Sequence, residues 1–168
     1  NSSFLVSYRY SFVQMATLLG IPVGTNATPN YQDLTFKLNF NTQKLGQISL
    51  FGIAGKSDID FLGNEIDEND LFANANQDAY VKSKIGIIGL KHNYLINNKT
   101  YVRTVIAAAT DGNTFDQDEL LENNEKRREV EVQDRNNRFS LSSYVNHKFN
   151  AKHTLRTGIL VQYFNLNL

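Results

Sequence analysis

The chain has 168 residues, 41% hydrophobic and 20% charged, with 17 basic and 17 acidic side chains balancing to zero. A balanced charge argues against a general nucleic-acid binder, which needs a basic excess. The absence of Cys excludes a disulfide framework, a thiolate metal site and a thiol nucleophile. No run approaches the ~18 apolar residues of a spanning helix, a test that a transmembrane β-barrel never meets. The first residue is Asn1, and no charged-then-apolar targeting segment follows. The expectation is that a targeting peptide has been removed or that the sequence is a piece of a longer one.

The dominant hydrophobic period is two, the signature of half-buried strands. In the first segment (2–12), Phe4, Val6, Tyr8, Tyr10 and Phe12 alternate with Ser7, Arg9 and Ser11. A long connection, 13–30, carries Met15, Leu18, Leu19, Ile21 and Val23 and suits a short amphipathic helix at the barrel mouth. In 31–41, Leu34, Phe36, Leu38 and Phe40 alternate with Asp33, Thr35, Lys37 and Asn39. Segments 45–57, 80–95 and 99–111 are ambiguous in register. The favoured register puts Ile88, Leu90, His92 and Tyr94 on the apolar face, with Lys91 and Asn93 opposite. Segments 136–149 and 153–166 alternate cleanly, through Phe139, Leu141 and Val145 and through Leu155, Ile159, Val161 and Tyr163.

Short polar turns alternate with long connections, 13–30, 57–79 and 112–135. All short turns therefore fall at one end of a meander, the asymmetry of an outer-membrane barrel. Nearly all acids fall in 57–79 and 112–135, whereas half of the bases fall on the strands. The expected fold is all-β: an antiparallel transmembrane β-barrel segment of about seven meandering strands. Seven strands leave the first and last parallel, so closure needs further strands. A complete small barrel (for adhesion, membrane integrity or lipid modification) and a soluble β-sandwich binding module are the alternatives.

The segment Tyr31-Gln32-Asp33-Leu34-Thr35-Phe36-Lys37-Leu38-Asn39 resembles a barrel strand of TonB-dependent outer-membrane receptors. So do Ser49-Leu50-Phe51-Gly52 through Ser57-Asp58-Ile59-Asp60-Phe61, and Gly86 to Tyr94 followed by Asn98-Lys99-Thr100-Tyr101. The resemblance is nearest to receptors with a carboxypeptidase-regulatory-like N-terminal domain. It implies a 22-stranded bacterial outer-membrane barrel with a plug domain inside, importing a siderophore, corrinoid or glycan. The implied partners are the plug, the remaining strands, the lipid bilayer, the TonB complex through regions absent here, and a surface lipoprotein. No nucleic acid and no cofactor are implied.

Among chemically capable side chains, Asp58, Asp60, Asp67 and Asp70 are weak candidates for a hard cation, without the spacing of a calcium loop. Arg9, Lys37, Lys82, Lys91, Arg103 and Arg156 are expected on the lumen side, facing plug carboxylates or an anionic cargo. His92, His147 and His153 have no carboxylate at ligand spacing, and Ser143 lies about 13 Å along the strand from His147. No catalytic role is expected.

Overall fold

The computed structural model describes residues 2–11, 19, 29–63, 76–121 and 125–167. They form one antiparallel sheet of seven strands in sequential order. The strands are β1 (Ser2–Tyr10), β2 (Asn30–Thr42), β3 (Gly46–Phe61), β4 (Gln77–Asn97), β5 (Thr100–Leu120), β6 (Lys126–Lys148) and β7 (Thr154–Asn167). Each strand pairs with its chain neighbours alone, so β1 and β7 are parallel edges of an open sheet. No helix among the described residues is long and apolar enough to cross a membrane. The proposed helix in 13–30 lies almost wholly outside the described residues.

The short turns sit at one end, and each begins with a side-chain oxygen that substitutes for a backbone acceptor. Thr42 Oγ1 accepts from Leu45 N at 3.0 Å, Asn97 Oδ1 from Lys99 N at 2.9 Å, and Asn150 Oδ1 from Lys152 N and His153 N at 2.8 and 2.9 Å. This is the chemistry that places Thr and Asn at turns. Gly46 closes the first turn with φ of 74°, and a Cβ there would lie 2.4 Å from the Asn93 carbonyl oxygen. Gly46→Ala is therefore expected to cost about 1–3 kcal/mol. It should appear as a lower urea midpoint with an unchanged denaturant slope.

The opposite ends differ from the sequence expectation. The connections read as 57–79 and 112–135 are strand at both ends: β3 runs to Phe61, β4 starts at Gln77, β5 runs to Leu120 and β6 starts at Lys126. Within 116–128, Asp116–Leu120 belongs to β5 and Lys126–Arg128 to β6. Asp58, Asp60, Asp78, Asp111, Asp116, Asp118, Glu119, Glu129, Glu131 and Asp134 consequently lie on strands. The charge segregation survives in another form, between two halves of the same strands.

Cross-strand partners share a face, so the register sorts the side chains. One face, the banded face, carries the row Phe4, Leu38, Leu50, Leu90, Ile106, Leu141 and Val161 across all seven strands. The next row toward the long connections is Val6, Phe36, Gly52, Ile88, Ala108, Phe139 and Tyr163. No hydrophobic side chain among the described residues is buried, and Phe4 is 81% exposed, Ile106 57% and Ile159 63%. The sheet has no second layer of its own. Burying this band elsewhere would yield roughly 1.5–3 kcal/mol per large side chain.

Candidate functional site: a basic face behind an oblique apolar band

The band crosses the strands at an angle. On β1 it reaches Tyr10, whose row contains Gln32, Lys56, Lys84, Gly112, Arg135 and Asn167. On β7 its upper limit is Tyr163, four residues (167 − 163) below that row. At the lower edge, Phe4 shares a row with Val161, but the β7 stretch continues six residues (161 − 155) further, to Leu155. At ~3.4 Å per residue this is a drift of about 14–20 Å over six strand spacings, about 29 Å in all. The strands are therefore tilted by about 25–35° from the normal of the band, close to the 35–45° tilt of transmembrane barrel strands.

Above the band the two faces exchange polarity. The banded face turns charged, through Lys56 and Lys84, then Asp58 and Lys82, then Asp60, Tyr80, Asp116 and Glu131. On the opposite face the rows of Asp33 and Asp111 and of Ser57, Ser83 and Asn113 are still polar, and the two rows above them turn apolar, with Ile59, Val81, Phe115 and Val132 in one and Phe61, Ala79 and Val130 beside Gln117 in the next. A sandwich sheet keeps one inner face apolar along its whole length, and this sheet does not.

The face behind the band is basic. Lys37 pairs with Phe51, Lys91 with Ser49 and Val105, Arg103 with Asn93 and Tyr144, Arg138 with Ala109 and Phe164, and Arg156 with Asn146. Register thus brings Lys37, Lys91, Arg103 and Arg156 to one face, with Arg9 further up it. Arg138 belongs there too; its parity with Ser140 and Ser142 was the available sequence signal. Lys82 does not belong: it pairs with Asp58 and Thr114 on the banded face. Its even number, shared with Ile88 and Leu90, already placed it on the banded face.

Arg9 is matched within the sheet, its Nε donating to Asp33 Oδ2 at 2.9 Å and Oδ1 at 3.1 Å. Lys37, Lys91, Arg103, Arg138 and Arg156 have no ion pair among the described residues. Two of them are held by an aromatic ring instead. The Arg156 guanidinium lies 3.8 Å from the Tyr144 ring centre, and that of Arg103 lies 5.5 Å from it and 5.9 Å from Tyr101. Arg103 Nε also donates to Asn93 Oδ1 at 2.7 Å. The Tyr144 ring positions the Arg156 guanidinium without using its N–H donors. Gly158 pairs with Tyr144, and a Cβ at 158 would meet the Ser143 carbonyl oxygen at 2.3 Å. Beside Lys91, the fully buried Ser49 hydroxyl has no hydrogen-bond partner among the described residues.

The weaker candidates resolve differently. Asp58 accepts from Asn30 Nδ2 at 3.2 Å and faces Lys82, and Asp60 faces Tyr80. Asp67 and Asp70 lie outside the described residues. Among the described residues no three His, Asp or Glu side chains cluster as metal ligands would. His147 Nδ1 is 2.7 Å from Thr100 Oγ1, and Ser143 Oγ is 2.9 Å from Thr104 Oγ1. The Ser143 and His147 side chains are engaged with different partners.

Several charged groups at the upper ends of β4–β6 are paired. Arg128 bridges Asp116 at 3.0 Å, Asp118, and Glu131 at 3.5 Å, and Arg127 bridges Glu119. Asp78, 2% exposed, accepts from Lys126 Nζ at 2.6 Å, Gly63 N at 2.8 Å and Tyr80 Oη at 3.4 Å. Burial pushes the Asp78 carboxyl up, but the bonds from Lys126, Gly63 and Tyr80 outweigh it and hold the carboxyl below its ordinary value. The bonds to Asp78 and Tyr80 raise Lys126 well above the ordinary ammonium value. Neither a protein-family model, nor a curated protein, nor a solved structure matches this chain.

Proposed function

We propose that the chain is a section of the wall of a TonB-dependent outer-membrane receptor that imports a scarce nutrient of the siderophore, corrinoid or glycan class. The observation that carries the membrane part is the oblique apolar band with the exchange of polarity above it. In this reading the band meets lipid and the basic face lines the lumen. The upper halves of β3–β6 stand above the membrane, where water faces their charged side. The open parallel edges are completed by further strands of a larger, 22-stranded barrel. The receptor identity rests on the sequence resemblance in 31–39, 46–61 and 86–101. A plug domain, the TonB complex and a surface lipoprotein are the partners that this identity brings.

The test is electrophoretic and topological. The full-length protein should require detergent and migrate differently before and after heating, as closed barrels do. Trypsin applied to intact cells should cut at Lys126 or Arg127, at the top of the β5–β6 hairpin. Cleavage from outside at Lys148 or Lys152, beside the short turns, would reverse the orientation. Solubility without detergent would remove the membrane reading altogether.

A further inference from the structure

We infer that the banded face carries, directly above the apolar band, a site for a phosphorylated lipid of the outer leaflet, with its phosphate among Lys82, Lys84 and Arg135 and an acyl chain in the groove below. The inference rests on the barrel reading and adds a ligand to its lipid-facing side. The row Lys56, Lys84, Gly112 and Arg135 crosses β3–β6 on this face. Gly112 has no side chain, and a recess of about 390 Å³ opens there. Lys84 and Arg135 flank it, Thr110 stands below, and Lys82, Thr114 and Gln133 stand above. Three cations, two hydroxyls and an amide are a donor set for phosphate, in which Arg offers paired N–H groups and Lys a point charge. Lys56, Lys82, Lys84 and Arg135 have no ion pair among the described residues. Asp111 and Asp134 also border the recess, but register turns both to the opposite face, where they accept from Asn136 and Asn113. Two rows above the recess floor, Asp116 and Glu131 are engaged by Arg128.

The surface below the recess selects a lipid over a free anion. Gly86, Thr110 and Arg135 border both the recess and an apolar groove of about 450 Å³. The groove has Leu34 and Phe36 on one side, Phe139 on the other, and the small side chains of Ala54 and Ala108 between them. Ile88, Ala108 and Phe139 are shared with a second apolar recess, of about 500 Å³, that continues down to Leu90, Ile106 and Leu141. From Gly112 to Ile106 is six residues (112 − 106), about 20 Å along β5. That exceeds the depth of one leaflet, about 15 Å of the ~30 Å hydrocarbon core. A free anion would use the recess alone, and an uncharged lipid the groove alone. A phosphate ester on an acyl chain uses both.

The experiment uses the full-length protein in phosphatidylcholine vesicles, with a fluorophore on a cysteine placed at 106 or, in the same row but on β1, at 4. The probes are phosphatidic acid and phosphatidylcholine with brominated chains, each a minor fraction of the bilayer. At 106 the brominated phosphatidic acid should associate about tenfold more strongly than the brominated phosphatidylcholine, and at 4 the two should be equal. K82Q/K84Q/R135Q, still heat-modifiable, should bring the ratio at 106 close to one. Gly86→Leu fills the junction of recess and groove with every charge in place, and should also remove the preference. A preference that survives Gly86→Leu, or that is equal at 4 and 106, marks diffuse attraction to a basic surface and overturns the site. Release of the brominated phosphatidic acid by added inorganic phosphate overturns it in favour of a free anion. Equal quenching by both lipids at 106 in the wild type overturns the site and leaves the barrel intact. No quenching at either position overturns the lipid-facing band, and the site with it.

Discussion

In the proposed barrel, Ile106→Arg is expected to destabilise the folded protein in a lipid bilayer by about 2–4 kcal/mol, the cost of a lipid-facing cation near the midplane. Ile106 occupies the middle of the β5 stretch from Val102 to Ala108, in a row that is apolar on every strand. The next residue, Ala107, points to the basic face beside Gly89 and Ser140. Ala107→Arg adds one more cation to a wet wall and should cost about 1 kcal/mol or less, since water and salt screen it. Thr114 is on the banded face again, but in the row of Lys82 and Gln133 above the band. Thr114→Arg should change stability by less than about 0.5 kcal/mol. Urea unfolding in bilayers measures all three. A fluorophore on a cysteine placed at 106, and not at 107, should be quenched by brominated lipid. Equal costs at 106 and 107, with no quenching at either, would sink the lipid-facing assignment.

Much of the fold could be read from period two alone. Seven strands, their sequential antiparallel order and the position of the short turns follow from alternation such as Leu34, Phe36, Leu38 and Phe40. The upper strand ends could not be read the same way. Where Asp116, Asp118 and Glu131 replace apolar side chains on the banded face, the segment looks like a loop by composition. It stays a ladder because backbone hydrogen bonds do not depend on which face is apolar. The cross-strand pairs of Arg128 with Asp116 and Asp118, and of Arg127 with Glu119, also favour pairing. Phe115, Val130 and Val132 did carry a signal, an alternation in reversed phase. Parity was enough to put Lys37, Lys91, Arg103 and Arg156 on one face. The stacking of Arg103 and Arg156 on Tyr144 was not legible, because it depends on register across β5, β6 and β7.

The second large effect concerns the upper hairpins, where Asp78 ties three elements together. Its carboxylate binds the Gly63 amide just past β3, Tyr80 within β4 and Lys126 at the start of β6. Asp78→Ala leaves the Gly63 amide without its acceptor and Lys126 without its counter-charge. The loss should be about 1–3 kcal/mol, local to the upper halves of β3–β6. Lys126 is 48% exposed, so its share is screened and the amide contributes most. The pH dependence has two limbs. The native Asp78 carboxyl is held below the unfolded value of ~3.9, so its stabilisation is full above that value and is lost as pH falls through the native one. The native Lys126 ammonium lies above its unfolded value of ~10.4. Its stabilisation is full below that value and is lost as pH rises through the native one. Hydrogen exchange in the upper strands, corrected for intrinsic rates, should be flat from about pH 5 to 10 and rise outside that window. In Asp78→Ala both limbs should disappear together, because Lys126 owes most of its shift to Asp78. An unchanged acid limb in the variant would show that Asp78 is not its source.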